Sequence, residues 1–338
     1  QRAGFRKYPA NGAPVFVMGW CGQAAAPSYA FQVLGEQLGS PSANQQAIKS
    51  LTTITGAKFY EGGFHTWYDY EQDTWSRIEV LSQGQGMYNV ANAIRVARKR
   101  RVDTSNWESF LRKASDVHAS RILKDNWSPK STNEGFFMAP RCRAYRLFDE
   151  PRYLEAACKA ADLYGTRQST MKEPYWGGTL DASCEDKEGA YAALQGFLAV
   201  YSETKDEKYL QWAEHALDVV LTYVCVWDMD LPAGRLRSHG FNTRGWTAVS
   251  VQNMHIDAYG VLMTPEIYRM GRLLEREDLQ QLALVMFRSC GQIIDPHGSQ
   301  GEQPQHTNYA QGGNLKNVDR FRGGYHETWT VFWITAHG

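Results

Sequence analysis

Two stretches of this chain are versions of one another. DEPRYLEAACKAAD (149–162) and KDEKYLQWAEHALD (205–218) align at a constant offset of 56 residues, pairing Tyr153 with Tyr209, Leu154 with Leu210, Ala157 with Ala213, Ala160 with Ala216 and Asp162 with Asp218. A repeat of this period is one supersecondary unit, which buries its apolar face only by stacking against neighbouring copies. Tyr153, Ala156, Ala157, Ala160 and Tyr164 fall at helical spacing, and Tyr209, Trp212, Ala213, Ala216, Val220 and Tyr223 renew the stripe. The preceding segments, GFFMAPRCRAYRLF and GAYAALQGFLAVY, are apolar or small on most sides, as suits a helix enclosed by others. Each unit therefore reads as a hairpin of a buried inner helix and a half-exposed outer helix.

Weaker copies extend the series. They predict six inner helices near residues 28–39, 84–99, 134–148, 188–203, 264–274 and 326–336, five of them with an outer partner. Strand signals are scarce: APVFVMGW near the start is the best, and no run of alternating segments follows it. The connections 56–82, 165–187, 227–247 and 295–325 read as long loops, and loops of such length in a compact domain tend to be functional.

Six hairpins closing on themselves resemble the all-α (α/α)6 toroid shared by carbohydrate-active enzymes such as glucoamylase-type hydrolases, unsaturated-uronyl hydrolases, N-acylglucosamine epimerases and glucuronyl epimerases. The resemblance spans nearly the whole chain and lies in the architecture and in the Tyr-Leu…Ala outer-helix pattern. SQGQGM (82–87) is similar to the Ala-Gln-Gly-Gln helix start of glucuronyl epimerases; their Trp-Tyr-Glu-Glu-Tyr motif is missing, with only WYDYE (67–71) as an echo. The Gly-Trp-Cys-Gly run resembles part of the zinc-binding lanthionine cyclases, without their Cys-His-Gly partner. The resemblance implies inner helices that run parallel, so that the loops entering their N-termini open on one end of the barrel. The substrate crevice is expected there, in a single catalytic domain spanning 1–338, which could be the C-terminal part of a longer chain.

Composition narrows the partners. Lys plus Arg and Asp plus Glu both number 36, so no global field draws the chain toward nucleic acid or an anionic membrane, and charges interrupt every long apolar run. A carbohydrate is the expected partner. No nucleotide loop, nucleophile elbow or helical zinc spacing occurs, so neither cofactor nor metal is expected. The six cysteines are scattered without a knuckle spacing, which argues against a disulfide framework. The chain begins at Gln1, and a removed signal peptide would favour a secreted or periplasmic location.

The residues at the six doorways are the candidate site. Trp20 and Gln23 lead into the first inner helix, Trp67, Gln83 and Gln85 into the second, and Asn133 and Glu134 into the third. The fourth is approached by TLDASCEDKEG, with Asp181, Glu185, Asp186 and Glu188 inside eight positions, and by Trp176 before it. Trp246, His255 and Asp257 precede the fifth, which Thr264 as N-cap and Pro265 would start; His326 and Glu327 stand at the sixth. Indole faces complement the C–H faces of sugars, and the amides, His255 and acids complement hydroxyls. Trp67, Trp176 and Trp246 are the expected platforms.

Acids at a helix start also have a structural reading, because unpaired N–H groups and the helix dipole stabilise them. Capping accounts for one or two acids; four so close repel one another unless their pKa values are pushed apart, which suits division into acid and base. Glycoside hydrolysis commonly uses two carboxyls across the scissile bond. The expectation is therefore a glycoside hydrolase with Asp186 or Glu185 as proton donor and Asp257 opposite, ahead of Glu61, Asp69, Glu134 and Glu327. The alternatives are an epimerase or lyase in which His255 or His326 abstracts a proton, with Arg237, Arg244 and Arg322 admitting acidic sugars, and a non-catalytic helical-repeat glycan-binding module.

Overall fold

The computed structural model describes residues 3–5, 14–19, 24–129, 132–169, 185–230, 237, 240–250 and 256–294. Among these, ten α-helices form five consecutive hairpins: α1 (Ala25–Gln37) with α2 (Pro41–Ile54), α3 (Val80–Lys99) with α4 (Ser105–Ile122), α5 (Met138–Phe148) with α6 (Pro151–Ser169), α7 (Lys187–Thr204) with α8 (Glu207–Thr222), and α9 (Thr264–Leu273) with α10 (Glu277–Cys290). The odd-numbered helices touch in succession, α1 to α3, α5, α7 and α9, while α2, α4, α6 and α8 form a second layer outside them. The segment expected to supply the sixth inner helix, 326–336, lies outside the described residues.

The repeat is carried by turn chemistry as well as by apolar spacing. α5 and α7 end in left-handed residues at equivalent positions, Asp149 (φ 53°) and Lys205 (φ 59°), each of whose N–H donates to the carbonyl four residues back. The next helix then starts at once, α6 with Pro151 as its first residue and α8 with Asp206 accepting from the Lys208 N–H. The paired tyrosines bind each outer helix to the one before: the Tyr153 hydroxyl donates to Asp116 of α4 at 2.9 Å, and the Tyr209 hydroxyl to Asp162 of α6 at 3.0 Å. Ala157, Ala160, Ala213 and Ala216 are fully buried and let the layers approach closely. At Gly165 a Cβ would meet the Trp212 ring at 2.2 Å, so α6 and α8 pack at a distance only glycine permits.

The core lies between the layers, in one cluster around α1 to α4 and a larger one around α5 to α10. Short strands cover the doorway end. β1 (Val15–Val17), within the predicted strand segment, pairs antiparallel with β4 (Trp67–Asp69), which pairs with β5 (Thr74–Ser76). β2 (Phe59–Tyr60) and β3 (Gly63–Phe64) form a ladder, as do β6 (Thr247–Ala248) and β7 (Ile256–Asp257). The connection 56–82, expected as loop, is thus partly sheet; strands of two or three residues are too short to display alternation. Two helix starts also shift. α3 begins at Val80, which puts Gln83 and Gln85 on the helix, and α5 and α9 are each preceded by a 3-10 turn, Thr132–Phe137 and Ala258–Met263. Thr264 is accordingly the first residue of α9 and not its cap; its hydroxyl donates to the Val261 carbonyl.

Candidate functional site

All five inner helices face one hollow. A cavity of about 430 Å³ is lined by Tyr29 and Leu34 of α1, Gln85, Tyr88, Asn89, Asn92 and Arg95 of α3, Arg143 of α5, Tyr191 and Gln195 of α7, and Glu266 of α9. A smaller one of about 180 Å³ continues toward the C-termini of α5, α7 and α9 and shares Tyr88, Arg143, Gln195 and Glu266 with the first. The larger volume lies in the ~300–1,000 Å³ range of small-molecule sites. Its wall is rich in amides and hydroxyls, an unusual surface for helices otherwise enclosed by apolar neighbours.

The polar groups are held by one another. Gln195 Nε2 donates to the Tyr191 hydroxyl at 2.7 Å and to Glu266 Oε1 at 3.1 Å, while the Tyr191 hydroxyl donates to Glu266 Oε2 at 3.4 Å. Burial raises the Glu266 pKa above its ordinary value, and the Gln195 hydrogen bond only partly opposes this. Burial also pushes the Tyr191 hydroxyl upward, reinforced by the adjacent Glu266, so that it remains a donor. Across the hollow, Arg143 Nη2 donates to the Tyr88 hydroxyl at 3.2 Å. Burial works against the Arg143 charge, but Tyr88 and Glu266 outweigh it and its pKa is raised. At the cavity's doorway end, Gln85 Nε2 donates to the Tyr259 hydroxyl at 2.9 Å and Asn89 Nδ2 to the Gln85 carbonyl at 3.1 Å.

The acid cluster is pulled apart by α7. Asp186, expected as proton donor, is fully buried at the N-cap, its carboxylate accepting from the Gly189 N–H at 2.7 Å and its backbone bridged to Ser250. The structure thus gives Asp186 a capping role and withdraws it from solvent. Glu188 is buried beside Lys187, with 3.7 Å between Nζ and Oε1, and the Lys187 ammonium stands 5.3 Å from the Tyr259 ring centre. Glu185 is half-buried just ahead of the cap. The backbone of Asp257 pairs with Thr247 in the β6–β7 ladder, two residues before Tyr259.

Several expected sugar contacts are occupied elsewhere. Trp246 is fully buried against Phe241, the ring centres 4.7 Å apart, and Trp67 is buried with the Arg77 guanidinium 4.0 Å from its ring centre. These two of the three expected platforms are therefore core residues, Trp67 within β4 and Trp246 just ahead of β6. Glu134 turns toward α4, accepting from Arg121 at 2.8 Å and from the Trp127 indole at 3.0 Å, with Asn133 beside it in the same 3-10 turn. Gln83 donates to the Tyr60 hydroxyl at 3.1 Å, over Gly63 of the small sheet. Of the expected set, Gln85 lines the cavity. Trp20, Gln23, Trp176, His255, His326 and Glu327 lie outside the described residues.

The cavity residues that sequence reasoning passed over had a signal. Asn89 and Asn92 follow the expected Gln85 on α3, and Gln195 follows Tyr191 on α7, at three- and four-residue spacing, forming a polar stripe on helices read as enclosed. Among the described residues no three His, Cys, Asp or Glu side chains gather as a metal site requires, and no described helix is long and apolar enough to cross a membrane.

Neither a protein-family model nor a curated protein sequence matches the chain. Solved structures do match it in shape. A D-mannose isomerase superposes with a TM-score of 0.64 at 11% identity, over 99% of this chain and 89% of the other. A cellobiose 2-epimerase from Spirochaeta thermophila DSM 6192 gives 0.63 at 13%, over 99% and 87%, and an unsaturated glucuronyl hydrolase specific for heparin gives 0.54 at 15%, over 93% and 85%. At these identities the likeness is one of fold. The chain has the all-α (α/α)6-toroid architecture found in these carbohydrate-active enzymes.

Proposed function

We propose that this chain is a glycoside hydrolase that binds its glycan in the central cavity and cleaves it with a pair of carboxyl groups. The observation that carries the reading is Glu266: a carboxyl with a raised pKa, oriented by Gln195 and Tyr191, on the wall of a sugar-sized hollow lined with amides and hydroxyls. In its neutral form Glu266 donates its proton to the glycosidic oxygen as the bond to the anomeric carbon breaks. The second carboxylate, supplied from the doorway by Asp257 or Glu185, either takes a proton from the water that adds to that carbon, or bonds to the carbon itself and is then displaced by a water whose proton goes to the Glu266 carboxylate. Asp186 holds the start of α7.

The test is a panel of aryl glycosides and polysaccharides assayed for new reducing ends. Turnover by the parent and a loss of about 10²–10⁴-fold in Glu266→Gln, with the fold intact, is the expected result. The likeness in shape to a mannose isomerase and a cellobiose 2-epimerase favours a second reading, isomerisation of a free sugar. Deuterium incorporation from heavy water at a sugar carbon, without new reducing ends, would replace the hydrolase reading with that one.

A further inference from the structure

The hollow is unequal in charge. Among the described residues, Arg95, Arg143, Arg146 and Arg269 line the two connected cavities against Glu203 and Glu266. Two of these four arginines have an evident task. Arg146 is ion-paired with Glu203, and Arg269 donates to the Ser202 hydroxyl. Arg146 also lies in the last turn of α5, where a cation complements the dipole.

Arg143 is different. It stands in the middle of α5, where the dipole offers it nothing, and it is half-buried. Its hydrogen bond goes to a neutral group, the Tyr88 hydroxyl, and among the described residues no carboxylate lies within ion-pair distance of it. Glu266 favours the Arg143 charge through space without pairing with it, so the planar guanidinium fork, built for the two oxygens of a carboxylate, has none within reach among the described residues. Arg143 borders both cavities, so such an anion would be held at their junction, beside Glu266.

We propose that the cavity takes a sugar bearing a ring carboxylate, a uronic acid residue, and that Arg143 anchors that carboxylate. This rests on reading the cavity as the sugar site. The carboxylate would also lock the ring against the wall on which Glu266 sits, fixing which bond the acid reaches.

Calorimetric titration of the full chain with glucuronate, galacturonate and mannuronate, each against its neutral sugar and its methyl ester, tests the assignment. At least one uronate should bind about tenfold or more tightly than both of its uncharged counterparts. Arg143→Gln should erase that preference, bringing the uronate's affinity to that of its neutral sugar and methyl ester in the same variant, and Arg143→Lys should keep part of it. If Arg143→Gln does not fold, the uronate-against-ester comparison decides by itself. Glucose 6-sulfate matching glucuronate would assign the recognition to charge, and a preference for the uronate would assign it to the planar carboxylate; either result supports an anion at Arg143.

Equal affinity for uronates and neutral sugars, or a preference that survives Arg143→Gln, overturns the proposal. Hydrolysis of neutral glycosides without any uronate preference would leave the hydrolase reading standing and remove this one. Uronate binding through Arg143 with no hydrolysis of uronides would do the reverse. Binding of no sugar at all overturns both.

Discussion

Gln85 and Tyr259, 174 positions apart in the chain, are joined by a hydrogen bond of 2.9 Å, the amide donating to the hydroxyl. The bond ties the second inner helix to the turn that introduces the fifth, so it spans the hollow instead of linking neighbours in the ring. Both residues are buried. Tyr259 also packs edge-on against Tyr191 and stands under the Lys187 ammonium, so one side chain joins the doorways of α3, α7 and α9, its hydroxyl holding the first and its ring the second.

The first prediction follows from that anchor. Tyr259→Phe keeps the ring and removes the acceptor, and should cost about 1–3 kcal/mol, because the buried Gln85 amide loses this hydrogen bond. A double-mutant cycle with Gln85→Leu, read by urea denaturation, should return a coupling of about 1 kcal/mol. Strict additivity would mean that the two residues do not hold the ring.

Asp186 separates capping from chemistry in one experiment. Asparagine caps a helix as well as aspartate does, so Asp186→Asn should leave both the melting temperature and turnover near those of the parent. Asp186→Ala should lose about 1 kcal/mol. Abolished turnover in a well-folded Asp186→Asn protein would return this residue to the catalytic role its position in the sequence suggested.

Glu266 should show itself in pH profiles. Its pKa in the folded chain lies above the ordinary 4.5. Between the two values the folded state binds more protons than the unfolded one, so the stability from this group is present at low pH and is lost as pH rises through the folded pKa. Glu266→Gln should therefore flatten the decline of the denaturation midpoint with rising pH. If Glu266 is the proton donor of the proposed hydrolysis, kcat of the parent should fall along the same limb, because only the protonated carboxyl can donate. A rate that rises with pH through this window would make Glu266 a base.

Gly245 is a backbone test. Its φ of 83° lies in the left-handed region, and a Cβ there would stand 2.8 Å from the Met286 Cα of α10. Gly245→Ala should cost about 1–3 kcal/mol in strain, with further loss from pushing α10 away from the loop that carries Trp246. Chemical denaturation of the variant measures it.

What the amino-acid sequence determines by itself is the hairpin. The Tyr153 and Tyr209 stripes, the buried alanines and the turns at Asp149 and Lys205 act over a few residues, through helical period and backbone conformation, and such local rules are legible along a line of text. The same rules mark Asp186 as a helix-start residue but cannot say whether it caps or reacts, since both uses need an acid at that position. The cavity belongs to the tertiary structure. Gln85, Asn89 and Asn92 form an ordinary polar helix face until the curl of the layers turns that face inward to meet Arg143, Gln195 and Glu266 from three other helices. Trp67 and Trp246 had the composition of a sugar platform, and packing made them core instead. Those outcomes depend on distances between segments far apart in the chain, and only the closing of the hairpins around a common axis fixes such distances.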